Sequence, residues 1–311
     1  MRNPLVSWRS ASTATRWVLC LLLIMMMATA SRELPGKGVV LWNGPKQVDL
    51  YVDEHPTLQA LAEQPTFNWI GENTEPRTVA TWARAAKGTS VPLVLYGIPN
   101  RDLGSYSAGG FANSADYLAW VGAVAHHLGD APAMVVVEPD ALGQSLQLPA
   151  EERETRLRTL RIAVDILKEN SPEARVYLDA SMWVSAGVMA DLLNRANVGR
   201  ADGFSLNVAG HADDRSAFEY GDSLSAMTGD KQYVVDTSRN GAAGADESEW
   251  CNASGLGLGR RPGTLVTQHP RVDGLFWIKT PGVSDGTCNG GPPAGTFWLP
   301  KALELASNAA L

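Results

Sequence analysis

The chain has 311 residues, with 26 Lys and Arg against 33 Asp and Glu, which gives a formal net charge of −7. At roughly 100–200 residues per domain, this length allows one large domain or two small ones. A negative surface lacks the concentrated positive field that phosphate binding needs, so we expect no nucleic-acid partner. With 45% hydrophobic and 19% charged residues, the chain can bury a large core, and disorder is excluded for most of it.

The first thirty residues differ in character from the rest. The apolar run 17–27 is preceded by three arginines, Arg2, Arg9 and Arg16, and followed by Ala28-Thr29-Ala30. This order predicts a secretory signal peptide over residues 1–30, with an A-x-A cleavage site. The apolar run is shorter than the ~20 residues that span a bilayer. We therefore expect cleavage and a secreted, extracellular product without a membrane partner; a retained anchor is the alternative.

Short apolar runs rich in β-branched residues alternate with helical patterns along residues 31–311. Such strands are apolar on both faces because helices cover a parallel sheet on each side. The alternation predicts an α/β fold, either a (β/α) barrel or a doubly wound sheet. No Gly/Ser/Pro-rich linker divides residues 31–311, so we expect a single domain. The predicted strands are 91–98, 134–137, 175–178, 203–208, 232–235 and 274–278, with further candidates at 39–42 and 67–70; the predicted helices are 114–128, 150–170, 185–195 and 213–227.

Polar side chains follow the ends of the predicted strands. In a parallel barrel these ends open onto one face, so residues far apart in sequence converge there. Carboxylates in such a cleft do acid–base work when their environments separate their pKa values, which is what glycoside hydrolysis requires. An Asp after a strand can instead cap the next helix. That alternative stays open for Asp236, whereas the Gly/Pro-marked loops around Asp102, Asp140 and Asp285 favour function.

Four tryptophans lie near the same strand ends: Trp69, Trp183, Trp250 and Trp277. An indole ring can stack on the C–H face of a sugar ring, burying apolar area while the sugar hydroxyls bond outward. Core packing is the alternative for each of them, and above all for Trp277, which lies inside a predicted strand.

Only Cys251 and Cys288 remain once the segment with Cys20 is removed. In an exported protein an isolated pair is most simply a disulfide, with two free thiols as the alternative. A zinc site needs two more ligands at matching spacing, and a metal-dependent barrel hydrolase needs His ligands at strand ends, where only His211 lies near one. We therefore expect no bound metal.

Eight segments, in the family's own order, resemble the motifs of glycoside hydrolase family 6, and the resemblance runs from about residue 39 to the C-terminus. They are Tyr96-Gly97-Ile98-Pro99-Asn100-Arg101-Asp102, Ser105-Tyr106-Ser107-Ala108-Gly109-Gly110, Val137-Glu138-Pro139-Asp140-Ala141-Leu142, Tyr177-Leu178-Asp179-Ala180, Ser205-Leu206-Asn207-Val208, Asp236-Thr237-Ser238-Arg239-Asn240-Gly241, Trp250-Cys251-Asn252 and Trp277-Ile278-Lys279…Pro281-Gly282…Ser284-Asp285-Gly286-Thr287-Cys288. The family consists of cellulases. The resemblance implies a distorted (β/α) TIM-like barrel that cuts β-1,4-glucan with inversion at the anomeric carbon and uses no cofactor; we expect a monomer.

The resemblance also implies roles for individual residues in the reaction. Asp140 matches the general acid that protonates the leaving oxygen, and Asp102 matches the neighbour that holds this proton by like-charge repulsion and relays one from the attacking water. Asp285 matches the family's proposed base, a role that is disputed there. Tyr96 matches the ring that crowds the sugar at the cleavage point, and Ser107 matches the position that holds the catalytic water.

Other positions match residues that bind the sugar chain or close the site. The expected disulfide between Cys251 and Cys288 would join the loop that carries Trp250 to the loop that carries Asp285. The sugar-binding matches are Trp69, Trp183, Asn207, Trp250 and Lys279.

The sequence departs from the family pattern at two places near the site. Val283 stands where the family usually has Glu, and segment 179–183 is two residues shorter and lacks the substrate-binding His. Weaker binding on the leaving-group side follows. A carbohydrate-binding barrel with weak or lost catalysis is therefore one alternative, and an exo-acting cellobiohydrolase is another. We favour an endoglucanase because the stretch 279–298 is compact.

Leu103 occupies the position of a family cysteine that follows the Arg-Asp pair, and Gln147 stands near its usual partner. Both halves of the family's second disulfide are thus absent. Replacing both residues with Cys is expected to raise the free energy of unfolding by about 2–4 kcal/mol, because a cross-link constrains the unfolded chain. Calorimetry with and without reductant measures the change, and an unaltered melting temperature in the oxidised form would contradict it.

Overall fold

The computed structural model describes residues 39–242 and 249–310, and the predicted signal peptide lies outside the described residues. Seven strands form one parallel sheet whose spatial order follows the chain. A parallel bridge between Thr66 and Trp277 links the segments beside the first and last strands, so the curled sheet is a distorted barrel, as predicted. The strands are β1 Asn68–Ile70, β2 Val91–Leu95, β3 Ala133–Val137, β4 Ala174–Asp179, β5 Gly203–Leu206, β6 Gln232–Asp236 and β7 Val272–Phe276.

Helices connect the strands on the outside of the sheet. The predicted helices at 114–128 and 150–170 have the predicted bounds, and the side chain of Asn113 caps the first by accepting the N–H of Asp116. The α-helices are α1 Gln59–Ala62, α2 Arg77–Ala86, α3 Ser114–Leu128, α4 Ala141–Gln144, α5 Ala150–Asn170, α6 Ala186–Arg195, α7 Asp214–Met227 and α8 Leu299–Ser307; the 3-10 turns are Gln47–Leu50, Pro56–Leu58, Asp102–Gly104 and Ser145–Gln147.

Several details differ from the sequence-based expectation. Three strands end two or three residues before the predicted bounds 98, 208 and 278: β2 at Leu95, β5 at Leu206 and β7 at Phe276. The candidate strand 39–42 forms only a bridge between Leu41 and Ser90. Helix α2 was not predicted because only Val79 and Ala86 are buried along it, which leaves too sparse an apolar stripe to recognise. Helix α8 follows directly on Pro-containing loop sequence and was not predicted either.

Side chains of the strands alternate between two apolar cores. On β3, Met134 and Val136 point into the barrel, whereas Val135 packs outward against the helices. Both faces are buried, which explains the continuous apolar runs of the sequence. The inner core consists of Leu41, Phe67, Val94, Met134, Val136, Tyr177, Val234, Phe276 and Ile278.

A third apolar cluster packs α8 against the rest of the barrel. Trp277 is fully buried there with Leu258 and Leu305, and its indole N–H donates to the carbonyl of Arg260 at 3.1 Å. Trp277 is therefore a core residue, which decides between its two interpretations. Across the part of the chain that is described, none of the helices has the length and apolar character needed to cross a membrane.

Two glycines provide a matched test of this packing. A Cβ on Gly203 in β5 would lie 1.9 Å from the carbonyl oxygen of Gln232 on β6, whereas a Cβ on Gly122 in α3 meets no atom within 4 Å. Gly203→Ala is expected to lower the free energy of unfolding by about 1–3 kcal/mol or more. Gly122→Ala should raise it by about 0.5–1 kcal/mol, since Ala is the better helix former. Urea denaturation of both variants measures this, and equal stabilities would refute the register of β5 and β6.

Candidate active site

Asp140 lies at the carboxyl end of β3, in a left-handed conformation with φ of 67°. Its N–H donates to Oδ2 of Asp179 at 2.9 Å, which anchors the turn to the end of the next strand. Its Oδ1 accepts the indole N–H of Trp183 at 3.5 Å. The carboxyl group is thus held at the mouth of the barrel beside an aromatic ring.

The environment of Asp140 favours its protonated form. Burial, and to a smaller extent the negative charge of Asp102, raise its pKa to about 6, against the hydrogen bond from Trp183 and the charges of Lys279 and Arg239, which lower it. A carboxyl group with such a pKa keeps its proton in mildly acidic solution and can give it to a leaving group. These interactions also mean that residues from four separate loops, those after β2, β4, β6 and β7, surround Asp140.

Asp102 lies in the loop after β2. Its Oδ2 accepts the N–H of Ser107 at 2.9 Å, and its Oδ1 accepts Nε2 of Gln144 at 3.1 Å. Gln144 ends the short helix α4 that Asp140 begins, so a direct hydrogen bond joins the two acidic loops. The sequence brings Ser107 next to Asp102 because Asp102 and Leu103 both adopt left-handed backbone, with φ of 61° and 46°.

An ion pair holds the base of the Asp102 loop. Nη1 of Arg101 lies 2.7 Å from Oε2 of Glu72 and donates to the carbonyl of Tyr96, and the guanidinium group stands 4.7 Å from the ring centroid of Tyr96. The Tyr96 ring meets Trp69 edge-on at 5.1 Å. Burial, with the charges of Asp102 and others, raises the pKa of Tyr96 well above its usual value, so the phenol stays neutral.

Asp285 has the opposite electrostatic environment. Its Oδ2 accepts Nη1 of Arg239 at 2.6 Å and the N–H of Asn252 at 2.9 Å, and its Oδ1 lies 2.9 Å from Nζ of Lys279. Burial alone would raise its pKa, but the charges of Arg239 and Lys279 and these hydrogen bonds outweigh it and hold the pKa well below the usual range. Asp285 is therefore an ionised carboxylate whose oxygens are already occupied.

A disulfide joins Cys251 and Cys288, whose Cα atoms are 6.2 Å apart. Beside it, the side chain of Asn252 donates to the carbonyls of Gly286 and Cys288 and accepts the N–H of Asp285. The loop that carries Trp250 is thus fixed to the loop that carries Asp285, as the family resemblance implied.

Aromatic rings lie at the surface around these carboxyl groups. Trp183 and Trp250 are 59% and 56% exposed, which suits stacking on a ligand. Tyr106, from the Asp102 loop, lies 6.2 Å from Trp250, and its ring is so close to Gly286 that a Cβ there would come within 2.3 Å of it. Tyr106 therefore brings the Asp102 loop into contact with the two loops that carry Trp250 and Asp285.

Asn207 and Asp236 have structural partners. The amide of Asn207 donates to the carbonyls of Ala212 and Asp236 and accepts the N–H of Ala212, so the loop after β5 already occupies it. The carboxylate of Asp236 accepts four backbone N–H groups, which makes it a loop-organising residue: those of Ala209, Ser238, Ile278 and Lys279.

Sequence reasoning missed four polar residues that shape the site. Arg239 and Glu138 lie inside the motifs quoted above, Glu72 follows β1 by two residues, and Gln144 follows Asp140 by four. For Glu138, Glu72 and Arg239, the available signal was a charged side chain within three residues of the end of a buried strand, whereas no such signal marked Gln144. Across residues 39–242 and 249–310, no group of three or more His, Cys, Asp or Glu side chains is arranged to hold a metal ion.

Comparison with known protein families decides the assignment. A family described as glycosyl hydrolases family 6 matches residues 46–309. The chain belongs to this family. The resemblance inferred from the sequence is thereby confirmed, and family 6 also accounts for the seven-stranded barrel.

Several relatives within family 6 are similar over most of the chain. Endoglucanase A of Cellulomonas fimi is 38% identical over 260 residues, which cover 81% of this chain and 56% of that protein. Endoglucanase 1 of Streptomyces halstedii is 37% identical, with 79% of each chain covered. The chain thus spans little more than half the length of the first of these relatives.

A solved structure shares both fold and sequence with this chain. It is the endoglucanase Cel6 from Mycobacterium tuberculosis, in complex with methyl-cellobiosyl-4-deoxy-4-thio-β-D-cellobioside. The TM-score is 0.84 and the identity 41%, over 89% of this chain and 99% of that one.

The contrast between Asp140 and Asp285 predicts opposite effects on stability. Ionising Asp140 above its folded pKa of about 6 costs stability, so Asp140→Asn should raise the free energy of unfolding at pH 8 by about 1–3 kcal/mol. This gain should fade as the pH falls from 6 to 4, where wild-type Asp140 becomes neutral in both states.

Asp285→Asn is the matched control, because it leaves Arg239 and Lys279 without their buried partner. It should lower stability at pH 7 by about 3–5 kcal/mol, and the loss should shrink only below the unfolded pKa near 4. Denaturant titrations across pH measure both variants. Shifts of the same sign would contradict the assigned environments.

Proposed function

We propose that this chain is a secreted, inverting endoglucanase that cuts internal β-1,4-glucosidic bonds of cellulose or a related glucan, with Asp140 as the general acid. The observation that carries the proposal is the environment of Asp140, whose pKa burial and the negative charge of Asp102 raise to about 6 at the mouth of the barrel. Glycoside hydrolysis needs a carboxyl group that keeps its proton for the leaving oxygen and a second acidic group nearby to take part in activating the water.

In this proposal, Asp140 gives its proton to the glycosidic oxygen as the bond to the anomeric carbon breaks. Water attacks that carbon from the opposite face and loses a proton, which gives the inverted product. Tyr96 crowds the sugar ring at the cleavage point, and Ser107 holds the water. The hydrogen bond from the N–H of Ser107 to Asp102 supports a route for the water's proton toward Asp102.

Asp285 is less suited than Asp102 to accept this proton. Its low pKa makes it a poor base, and Arg239, Lys279 and Asn252 already bind both of its oxygens. We propose that Asp285 instead keeps Lys279 and Arg239 in place beside the sugar, while Asp102 takes part in the relay.

Sugar rings would lie along the exposed aromatic side chains. Trp69 is held in orientation by a hydrogen bond from its indole N–H to the carbonyl of Ile278 at 2.9 Å, and Lys279 stands 5.8 Å from its ring. Trp183, whose indole N–H donates to Asp140, and Trp250, next to the disulfide-linked Cys251, are both more than half exposed and offer faces for stacking. The bound oligosaccharide analogue of the mycobacterial relative is consistent with a β-1,4-glucan ligand.

The endo mode has one specific support in the fold. Residues 279–298 turn back on themselves, because Val283 pairs with Phe297 in an antiparallel bridge and the N–H of Ser284 donates to the carbonyl of Thr296. We infer that a segment so compact does not form the roof over the trough that chain-end cleavage would need.

The contact of Tyr106 with Trp250 and Gly286 favours the second candidate, an exo-acting cellobiohydrolase, because it joins the two sides of the trough. An internal cutter needs this contact to open before a long chain can enter. Endoglucanase-named relatives at 37–38% identity favour the endo mode.

Activity on a soluble β-1,4-glucan tests the proposal. Asp140→Ala is expected to lower kcat by about 10²–10⁴-fold, the usual contribution of a general acid. Asp191→Ala is the control, because Asp191 is an exposed carboxylate on α6 whose ion pair with Arg195 contributes little. Equally negligible turnover of wild type and Asp140→Ala would favour the carbohydrate-binding alternative.

The same assay distinguishes the mode and stereochemistry of cleavage. Carboxymethylcellulose viscosity should fall steeply while little reducing sugar appears, and proton NMR should detect the α anomer first. Mainly cellobiose release with slow viscosity loss would favour the exo mode, and a β product would overturn inversion.

A further inference from the structure

The backbone segment 97–100, which leads to Asp102, rests on a buried carboxylate that the proposed mechanism does not use. Glu138 is only 1% exposed. Its carboxylate accepts the N–H of Gly97 at 2.9 and 3.0 Å and the N–H of Ile98 at 3.0 Å. The start of the segment is therefore tied to the end of β3.

A buried arginine binds the other half of the same segment. Arg156 of α5 is 5% exposed, and its Nη2 donates to the carbonyls of Pro99 at 3.0 Å and Asn100 at 2.9 Å. Glu138 and Arg156 together thus bind a polar backbone group of every residue from 97 to 100.

The segment needs such support because the backbone after it is strained. Asn100, Asp102 and Leu103 all have left-handed conformations, with φ of 55°, 61° and 46°. Non-glycine residues persist in this region only when their surroundings hold them there. The sequence has no cysteine between residues 21 and 250, so non-covalent contacts hold this loop.

Glu138 also stands two residues before Asp140, in the same turn after β3. One turn therefore carries the proposed acid and, through Glu138, the segment that precedes Asp102. Any shift of Glu138 would change the separation of the two acidic groups.

We propose that Glu138 is a positioning residue for hydrolysis: its carboxylate holds segment 97–100 against the end of β3 and thereby sets the position of Asp102 relative to Asp140. This inference rests on the proposed function. The titratable groups that face Glu138 are Tyr96 after β2, Tyr117 of α3, Arg156 of α5 and Arg101 of the Asp102 loop.

The carboxyl group of Glu138 suits this task in either protonation state, because Oε2 accepts the N–H groups of both Gly97 and Ile98, and Oε1 keeps a lone pair for Gly97 even when it carries a proton. Burial raises its pKa to about 7, although both N–H groups, Tyr117 and Arg101 lower it. An amide of the same shape would turn a donor toward one of these N–H groups and push the segment away.

Glu138→Gln is the test variant. We expect kcat on a soluble β-1,4-glucan to fall by about 10²-fold with KM nearly unchanged, since a 1 Å misplacement of a reacting group costs that much. The basic limb of the pH profile of kcat/KM should move to lower pH, because a displaced Asp102 no longer raises the pKa of Asp140.

A double-mutant cycle with Asp102→Asn separates positioning from general damage. If Glu138 acts through Asp102, Glu138→Gln should cost far less in the Asp102→Asn background than in wild type. The inference would be overturned if Glu138→Gln lowered kcat by the same factor in both backgrounds and left the basic limb of the pH profile unshifted.

Asp273→Asn is the matched control for loss of a buried carboxylate, because Asp273 lies against Tyr177 and Arg175 at the amino end of β7, whereas the site lies at the carboxyl ends of the strands. It should lower stability and leave the pH profile in place. Glu138→Gln behaving like this control would also overturn the inference.

Arg156→Lys provides a second variant should Glu138→Gln fail to fold. Arg156→Lys keeps the positive charge but removes the guanidinium group that binds two carbonyls at once. We expect the basic limb of the kcat/KM profile to move to lower pH, by less than in Glu138→Gln. Turnover by wild type but not by Asp140→Ala supports the proposed function whatever Glu138→Gln does. Absence of wild-type turnover would remove both proposals together.

Discussion

Buried carboxylates that accept backbone N–H groups of neighbouring loops hold the functional edge of this barrel together. Glu138 after β3 binds Gly97 and Ile98 after β2, Asp179 at the end of β4 binds Asp140 after β3, and Asp236 at the end of β6 binds loops after β5 and β7. Burial raises the pKa of all three, so each carries a desolvation cost that its hydrogen bonds must offset. The strand ends are thereby linked from loop to loop, and strained turns are kept in place.

Within this frame, two aspartates of the same chemistry receive opposite properties from their neighbours. Asp140 has a buried environment with Asp102 nearby, and its pKa rises; Asp285 has Arg239 and Lys279 against its two oxygens, and its pKa falls. The proposed acid and the proposed anion therefore need no difference in residue type. Their separation depends on which loops the barrel brings beside each carboxyl group.

The Asp102 loop combines two kinds of support. Polar contacts from Glu138, Arg156 and the Arg101–Glu72 ion pair hold its base, and Tyr106 rests on Gly286 at its tip. The sequence has no cysteine between residues 21 and 250, so these contacts hold the loop without a covalent link. The base of the loop has more polar contacts than its tip.

The sequence by itself determined a parallel α/β sheet, because strands buried on both faces are continuous apolar runs in the sequence. It determined the family, and with it the barrel, through motifs such as Glu138-Pro139-Asp140. It also placed Asp102, Asp140 and Asp285 at strand ends. The sequence did not show that Trp277 belongs to the core, that Asp236 organises the loops, or that the amide of Asn207 is already hydrogen-bonded to the backbone. A Trp, Asp or Asn near the end of a strand has the same appearance in the sequence whether it binds a ligand or serves the structure. Nor did the sequence show Gln144 bonded to Asp102, or Arg239 against Asp285. Only the tertiary structure decided these, because hydrogen bonds and pKa values depend on contacts between loops dozens of residues apart.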